Sequence, residues 1–342
     1  HKYDEGARTA FEEHFIEAKL YLLNDKSEMK LHFTVSPEHQ KLFSDLSEKL
    51  KDKFKSEAHI HCKTDFSVQK SSTDTIAVDI SNNIFRNDDG SMLFRPGGHG
   101  ALLENLNDLQ EQIVFIGNID NIAPERTMTQ RIKYKKLLGG VLIEKMKKVH
   151  HVLNILNSSE VEGDMRSEIM DIAKEVTYDS VSKLGQMDSE QFRIEIIELL
   201  NRPIRICGMV KNVGEPGGGP FWIKNKDGEV SKQIIESSQI NLLDSDQNKL
   251  FQSSTHFNPV DLACYNYDYK GNKFDLLKFR DPDMGFISKK SQGGKDLKAL
   301  ELPGLWNGSM AGWLTWFVDV PIETFTPVKT VFDLVRESHR GS

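Results

Sequence analysis

Cysteine is scarce in this sequence. Cys62, Cys207 and Cys264 are the three cysteines among 342 residues, and no two of them form a Cys-x-x-Cys motif. Disulfide frameworks and cysteine zinc sites need cysteines that are paired at short spacings, so neither is expected. An odd number of isolated thiols fits a reducing compartment, and the sequence therefore predicts a cytoplasmic protein.

A basic excess and long apolar runs are also missing. Lysine and arginine number 44 against 51 aspartates and glutamates, which gives a formal net charge of −7 at pH 7. Because non-specific nucleic-acid binding needs a basic surface, no nucleic-acid partner is expected. No stretch approaches the ~18 uncharged apolar residues of a membrane helix, and residues 1–5 are charged, so no membrane partner or signal peptide is expected.

Several enzyme motifs are absent from the sequence. It contains no G-x-x-x-x-G-K-[ST] phosphate loop, no G-x-S-x-G nucleophile elbow and no H-E-x-x-H zinc helix. The adjacent His150 and His151 lie in a lysine-rich helical pattern, which favours a solvated helix face over a metal site.

The first third of the chain alternates between helical and strand patterns. Apolar residues at helical spacing predict helices over residues 6–24 and 38–54. The predicted strands cover residues 31–35, 59–63, 75–78 and 112–116. The last of these is apolar after its first residue, which is typical of a strand covered on both faces. Strands separated by helices predict an α/β fold with a mostly parallel central sheet.

The rest of the chain divides into a helical part and a strand-rich part. Residues 125–202 contain no proline and show helical periodicity, which predicts about three helices inserted into the α/β fold. From Ile204 onwards, short β-like segments alternate with turns rich in glycine and aspartate. The predicted organisation is an α/β half over residues 1–125, a helical insertion over 126–201 and the remainder of the α/β domain over 202–342.

A glycine-rich segment precedes an apolar helical pattern that starts at Ala101. Glycines in front of a helix let a ligand approach the backbone, and the first N–H groups of the helix are free to bind it. A tight turn explains the same residues, and both interpretations stay open at this point. The segment consists of Pro96, Gly97, Gly98, His99 and Gly100.

The strand over residues 112–116 ends in the polar residues Asn118, Asp120 and Asn121. In open α/β sheets, ligands bind outside the carboxyl ends of the strands, and carboxylate and amide oxygens suit Mg²⁺. An Asx turn that ends the strand is the alternative. Farther along, the E-P-G-G-G-P segment over residues 215–220 predicts a loop that closes over a phosphate or sugar, or a mobile lid.

Taken in order, five segments resemble motifs of the UDP-sugar pyrophosphorylases, which have the nucleotide-diphospho-sugar transferase fold. The segments are Val35-Ser36, Phe66-Ser67-Val68-Gln69, Pro96-Gly97-Gly98-His99-Gly100, Asn118-Ile119-Asp120-Asn121 and Phe325-Thr326-Pro327-Val328-Lys329. The whole chain, including L-P-G-L-W-N-G over residues 302–308, is also similar to a bacterial domain-of-unknown-function family, number 4301. The resemblance implies a glycosyltransferase-A-like central sheet, with the nucleotide in the first half of the chain and the sugar in the last.

The resemblance also implies a reaction and roles for single residues. A sugar 1-phosphate would attack the α-phosphorus of a nucleoside triphosphate, UTP in the family, and release pyrophosphate with the help of Mg²⁺. Asp120 and Asp261 would hold the metal, and Lys329 would neutralise phosphate charge. The nucleotide would contact Gln69, Pro96, Gly97, Gly98, His99, Gly100 and Asn118. The sugar would contact Glu215, Gly218 and Asn258.

One departure from the family leaves other functions open. The glycine-rich triphosphate loop near the family's N-terminus has no counterpart, and the chain starts at His1 without an initiator Met, so we expect an upstream segment to be missing. A related glycosyltransferase that uses an existing sugar nucleotide is one alternative, indicated by the D-x-D triplets at residues 244–246 and 281–283. A non-catalytic module that binds a sugar nucleotide or a protein is the other.

Overall fold

The computed structural model describes residues 1–158, 164–177, 183–214, 217–226 and 228–340. They divide into two units by their internal contacts. The first unit comprises His1–Gln69, Gly117–Leu137 and Val320–Ser342, and the second comprises Lys70–Ile116 and Leu138–Asp319. Among the described residues, no helix combines the length and the apolar character that a membrane span requires.

The first unit is built around a parallel strand pair and two helices. A short hairpin of β1 (Lys2–Tyr3) and β2 (Gly6–Ala7) precedes these elements, which are α1 (Ala10–Lys19), β3 (Glu28–Thr34), α2 (Gln40–Ala58) and β4 (His61–Ser67). Helix α1 begins with a capping box, because the Thr9 hydroxyl accepts the Glu12 N–H and the Glu12 carboxylate accepts the Thr9 N–H. Strands β3 and β4 run parallel, with Thr34 opposite Ser67. Both strands therefore end at the same edge.

The core of the first unit is rich in phenylalanine. Phe11 and Phe15 of α1 are at most 2% exposed and contact Phe33 of β3, with ring centroids 4.5 Å and 6.0 Å apart. Phe54 of α2 closes the same cluster from the other helix. Burying an aromatic side chain contributes about 1.5–3 kcal/mol, so this cluster fixes α1 on the strand pair.

The larger sheet of the second unit has mixed strand directions. Its strands are β7 (Ile113–Gly117), β8 (Ile204–Lys211), β11 (His256–Phe257), β12 (Asp261–Tyr265) and β15 (Leu314–Asp319). Strand β8 runs parallel to β15 but antiparallel to β11 and β12. The mostly parallel central sheet expected from the sequence is therefore not what the strand pairs show, although the α/β class is confirmed.

The other sheets of the second unit are antiparallel. One has the strand order β13 (Phe286–Gln292), β14 (Lys295–Glu301), β5 (Thr75–Asp79) and β6 (Phe94–Arg95). The other is the hairpin of β9 (Gly219–Lys224) and β10 (Val230–Ile235). The short turns between these strands explain why the sequence pattern changes after Ile204.

Helices fill the proline-free interval as its periodicity predicts. After α3 (Leu102–Asp108), these are α4 (Met128–Ser158), α5 (Asp164–Val176) and α6 (Ser189–Leu200), and α7 (Ser245–Gln252) follows later. The helical character is confirmed, while the domain boundaries after residues 125 and 201 stay predictions. His150 on α4 is half-buried against Tyr265, with ring centroids 5.3 Å apart, so the expected solvated face holds for His151 alone.

The covered strands of this sheet are β8 and β12, not the apolar strand β7. Ile113 of β7 is 37% exposed, and β7 stands at the end of the described strand order. Strand β8 is buried over residues 204–210 although it carries Arg205. The Arg205 guanidinium donates to Thr315 Oγ1, the Trp306 carbonyl and Gln233 Oε1 at 2.8, 2.6 and 3.3 Å, and these bonds offset the cost of burying it.

The same sheet buries two of the three thiols. Cys207 on β8 and Cys264 on β12 are both fully buried, and neither forms a disulfide. Burial raises the pKa of Cys207 to about 11 and raises the pKa of Cys264 further. Both side chains are therefore protonated core residues at neutral pH.

Candidate functional site

The structure brings together the two motifs that carry Asp120 and Lys329. Asn121 and Pro327 form an antiparallel bridge, and the Val328 N–H donates to the Asp120 carbonyl at 2.8 Å. Lys329 follows Val328 directly. The expected metal ligand and the expected phosphate-binding lysine therefore stand on adjacent backbone segments of the first unit.

Asn121 joins these two segments. Its side chain is buried, and its Oδ1 accepts the Thr326 N–H at 3.0 Å while its Nδ2 donates to the Thr324 carbonyl at 3.4 Å. The Thr326 hydroxyl returns a bond of 2.6 Å to the Ile122 carbonyl. The strand also ends in a turn, but the bond that closes it joins backbone atoms, with the Asn121 N–H donating to the Asn118 carbonyl at 3.2 Å, whereas the expected Asx turn needs a side-chain oxygen as the acceptor. The turn and the contact with the lysine segment coexist.

The end groups of Asp120 and Lys329 remain available to a ligand. Asp120 is half-buried and Lys329 is exposed. Within the part of the chain that the structure describes, neither side chain has a hydrogen bond or an ion pair to another residue. The backbone of the lysine segment is fixed instead, because the N–H groups of Lys329 and Thr330 donate to Asp333 Oδ2 at 2.9 and 2.7 Å.

The donor set suits a magnesium ion at Asp120 but not at Asp261. No three His, Cys, Asp or Glu side chains among the described residues form a group that could hold a metal. Mg²⁺ needs fewer, since it usually keeps several waters and takes one or two carboxylates together with substrate phosphates. Asp120 meets that requirement. Asp261 is 2% exposed on the fully buried strand β12, which leaves no room for a hydrated ion.

Gln69 lies at the edge where the parallel pair ends. Strands β3 and β4 finish at Thr34 and Ser67, and the Val35 N–H donates to the Ser67 carbonyl at 2.9 Å. Gln69 follows this point and is half-buried. Carboxyl ends of parallel strands are the usual ligand edge of α/β folds, so its position agrees with the expected nucleotide contact, which stays a prediction.

In the second unit, the glycine-rich segment packs closely on its own chain. A Cβ on Gly100 would lie 2.2 Å from the Pro303 carbonyl oxygen, and one on Gly97 would lie 2.7 Å from that of Thr73. Gly98 has a φ of +74°, in the left-handed region that favours glycine. The described structure thus accounts for all three glycines by packing and backbone conformation, and the nucleotide contacts of residues 96–100 stay predictions.

His99 presents one ring nitrogen as a donor. Its ring stacks on Trp306 with centroids 4.2 Å apart, and its Nδ1 accepts the Leu305 N–H at 3.0 Å. In the neutral ring the proton is therefore on Nε2. Burial lowers the pKa of His99, although the carboxylates of Glu236 and Glu301 act in the opposite direction. At neutral pH the side chain is an uncharged hydrogen-bond donor.

The residues expected to contact sugar are differently placed. Glu215 lies outside the described residues. Gly218 is buried, and its carbonyl accepts the Asn258 N–H at 2.7 Å. Asn258 is 4% exposed, with Nδ2 donating to the Gly208 carbonyl at 2.8 Å and Oδ1 accepting the Val260 N–H at 3.1 Å. Both ends of the Asn258 amide are used within the fold, which leaves none for a sugar hydroxyl.

Both D-x-D triplets are helix caps. Asp244 Oδ1 accepts the N–H groups of Asp246 and Gln247 at 3.0 and 3.1 Å. Asp281 Oδ1 accepts the Asp283 N–H at 2.9 Å, while Asp283 pairs with Lys226 at 3.4 Å. Capping accounts for the first aspartate of each triplet, so the observation that pointed to a glycosyltransferase loses its weight.

Sequence reasoning missed a buried charged cluster next to the Asp120 turn. Arg131 and Lys135 of α4 and Glu17 of α1 are each at most 5% exposed. Arg131 Nε lies 2.9 Å from Glu17 Oε2. Burial alone would raise the pKa of Glu17, but the two cations outweigh it and hold that pKa below its usual range. The available signal was the i,i+4 spacing of two basic residues at the start of a helix, which is also common on solvated faces.

Solved structures of one enzyme resemble this chain in fold, the first of them with a TM-score above 0.5. A substituted form of UDP-glucose pyrophosphorylase from Leishmania major, in complex with UDP-glucose, matches with a TM-score of 0.51 and 12% identity over 96% of this chain and 59% of that one. A second substituted form with UDP-glucose gives a TM-score of 0.49 and 12% identity over 96% and 58%. The chain thus spans less than two thirds of these enzymes, and the first likeness shows a nucleotidyltransferase-like fold.

Comparison with protein families assigns the chain more directly. No curated protein matches it in sequence. A family model described as a domain of unknown function, DUF4301, matches residues 1–340. The match includes both units and every residue of the candidate site, and on that ground the chain belongs to the DUF4301 family.

Proposed function

We propose that this protein is a nucleotidyltransferase that forms a sugar nucleotide from a nucleoside triphosphate and a sugar 1-phosphate. The observation that carries the proposal is the contact of the Asp120 turn with the Lys329 segment. Two motifs far apart in the sequence meet at the Asn121–Pro327 bridge, with a carboxylate on one and an ammonium on the other. The nucleotidyltransferase-like fold supports the same assignment.

The chemistry requires charge neutralisation and alignment. An oxygen of the sugar 1-phosphate forms the new bond to the α-phosphorus, the bond from that phosphorus to the β-phosphate oxygen breaks, and pyrophosphate leaves with the electron pair. Mg²⁺ held by Asp120 would supply positive charge to the phosphates. Lys329 binds a phosphate oxygen from the neighbouring segment. Fixed positive groups are the main protein contribution to phosphoryl transfer.

The proposed nucleotide is a uridine phosphate, and UTP is the proposed donor. The matched Leishmania enzyme binds UDP-glucose, which supports this choice. In the first unit, Gln69 and Asn118 are the proposed nucleotide contacts. We leave Asn258 and Asp261 out of the site because both are buried, and Glu215 remains a proposed sugar contact.

The test measures pyrophosphate release from UTP and a panel of sugar 1-phosphates, and the reverse reaction of UDP-glucose with pyrophosphate. Asp120→Asn and Lys329→Ala are expected to lower kcat by about 10²-fold or more, since each removes a charge that acts on the phosphates. Asp25→Asn and Lys26→Ala, on an exposed turn of the same unit, are the matched controls. Absence of both reactions in the unaltered protein would refute the proposal.

A non-catalytic sugar-nucleotide module is the second candidate. The observation that favours it is the packing of residues 97–100 on Pro303 and Thr73, which occupies the backbone surface that a ligand loop would offer. This candidate predicts that UDP-glucose stabilises the protein without any exchange of pyrophosphate. Ligand at one hundred times its Kd adds about 2.7 kcal/mol of stability, a shift that thermal unfolding detects.

A further inference from the structure

The guanidinium of Arg131 contacts both segments of the proposed site. Its Nη1 donates to Asn121 Oδ1 at 3.0 Å and to the Thr324 carbonyl at 3.3 Å. Its Nη2 donates to the Asn121 carbonyl. Asn121 directly follows Asp120, and Thr324 ends the short 3₁₀ turn Ile322–Thr324, which leads to the Lys329 segment. One buried side chain therefore binds the backbone on each side of the Asn121–Pro327 bridge.

Helix α1 contacts both Arg131 and the Asp120 turn. Glu17 pairs with Arg131 Nε at 2.9 Å, and both residues are 3% exposed. One helical turn earlier, His14 Nε2 donates to the Ile119 carbonyl at 3.0 Å. The two residues that flank Asp120 are thus both held through α1. Ile119 is bound by His14 of α1, and Asn121 is bound by Arg131, which pairs with Glu17 of α1. The side chain of Asp120 itself has no protein partner among the described residues and is left for a ligand.

We propose that Arg131, fixed by Glu17, is a positioning residue that holds the Asp120 turn against the Lys329 segment. The inference rests on the proposed function, in which the Asp120 carboxylate and the Lys329 ammonium act on either side of a phosphate. Arg131 touches no substrate in this role and acts through Asn121 and Thr324.

The shape of arginine explains why this residue type is needed. A planar guanidinium presents its donors in a fixed fork, so one side chain reaches Asn121, Thr324 and Glu17 at once. A lysine keeps the charge but has a single nitrogen, which cannot serve the same set of acceptors. Misplacing a reacting group by about 1 Å costs up to about 10²-fold in rate.

The experiment compares Arg131→Lys with Arg126→Lys. Arg126 is exposed, lies five residues earlier and donates to the Glu337 carbonyl at 2.9 Å, away from the Asp120 turn. Hydrogen–deuterium exchange is measured in the full chain without substrate. Arg131→Lys is expected to speed exchange about tenfold or more at the amides of Thr326 and Val328, which bond to Asn121 and Asp120, while β3 and β4 keep the rate of the unaltered protein.

Kinetics provide the second measurement. With UTP, a sugar 1-phosphate and Mg²⁺, Arg131→Lys is expected to lower kcat about 10–100-fold and to leave KM for the sugar phosphate nearly unchanged. Glu17→Gln, which keeps the shape of the partner and removes its charge, is expected to act in the same direction and more weakly. If Arg131→Lys does not fold, Glu17→Gln takes its place in both measurements.

Each outcome decides the inference. Unchanged exchange at residues 324–328, or an equal rise throughout β3 and β4, would show a purely structural role and overturn it. Local exchange without a loss of kcat beyond that of Arg126→Lys would overturn it as well. If the unaltered protein has no activity, the proposed function fails, while the exchange data still show whether Arg131 holds the turn.

Discussion

Single side chains do more to organise this molecule than their types suggest. Asn121 and Asn258 are both buried asparagines, and each joins separate backbone segments with both ends of its amide. The sequence analysis singled out both positions, but it expected the Asn258 side chain to contact a sugar and not its own chain. A strand-end asparagine looks the same in a sequence whether it binds a sugar or a carbonyl of its own chain, because burial decides which partner it meets.

Asn258 gives a prediction at the residue scale. Val260 has a φ of +59°, which is strained for a β-branched residue, and its N–H donates to the side-chain Oδ1 of Asn258. Asn258→Ala leaves that N–H and the Gly208 carbonyl unpaired and is expected to lower the free energy of unfolding by about 1–3 kcal/mol. Urea unfolding measures the change. Asn212→Ala, at an exposed position, is the control and is expected to change stability by less than about 1 kcal/mol.

At the scale of elements, the sequence patterns predicted most of the helices and strands. They did not predict which elements pack against each other. Apolar spacing located α1, α2 and the helices after Pro124, because periodicity is a local property. It predicted that β7 is covered on both faces, whereas β8 and β12 are the buried strands. Judged by composition alone, a strand that carries a charged residue such as Arg205 is not expected in the core. Arg205 is buried because three acceptors from distant segments of the chain bind its guanidinium.

The glycine-rich segment gives a prediction at the same scale. Gly100→Ala places a Cβ against the Pro303 carbonyl and is expected to lower the free energy of unfolding by about 1–3 kcal/mol, because two backbone segments must move apart. Gly140→Ala is the matched control on the exposed side of α4, where nothing lies within 4 Å of the added methyl group. It is expected to raise stability by about 0.5–1 kcal/mol. Equal midpoints of urea unfolding for the two variants would contradict the packing explanation.

At the scale of the whole molecule, the family and the fold class could be inferred from the sequence and the sheet could not. Five short motifs in order suggested the nucleotidyltransferase-like fold that the likeness to one solved structure supports. The predicted parallel sheet followed from the alternation of strands and helices in the first third. The later strands, β8 and β12 among them, enter the sheet with opposite directions, which no local pattern encodes. The contact between the Asp120 turn and the Lys329 segment is equally non-local, and the resemblance alone gave both residues a role in the sequence analysis.

Burial of histidines gives a prediction for the stability of the whole molecule. Burial lowers the pKa of His14, His99, His150 and His339 from the usual 6.5. Below pH 6.5 the unfolded chain therefore binds more protons than the folded one, and the free energy of unfolding falls as the pH is lowered. Urea midpoints between pH 7.5 and 5 measure this slope. His150→Phe is expected to make the slope shallower, because it removes one of these buried imidazoles.

The two buried thiols make the opening of the larger sheet measurable by chemical labelling. Only a thiolate reacts with alkylating reagents at a useful rate, and neither Cys207 nor Cys264 is ionised or reachable while β8 and β12 are paired. Modification of these positions by iodoacetamide must wait for the strands to separate. The rate at which Cys207 and Cys264 are labelled in native buffer therefore measures spontaneous openings of the second unit, and no cysteine has to be introduced into the chain for it.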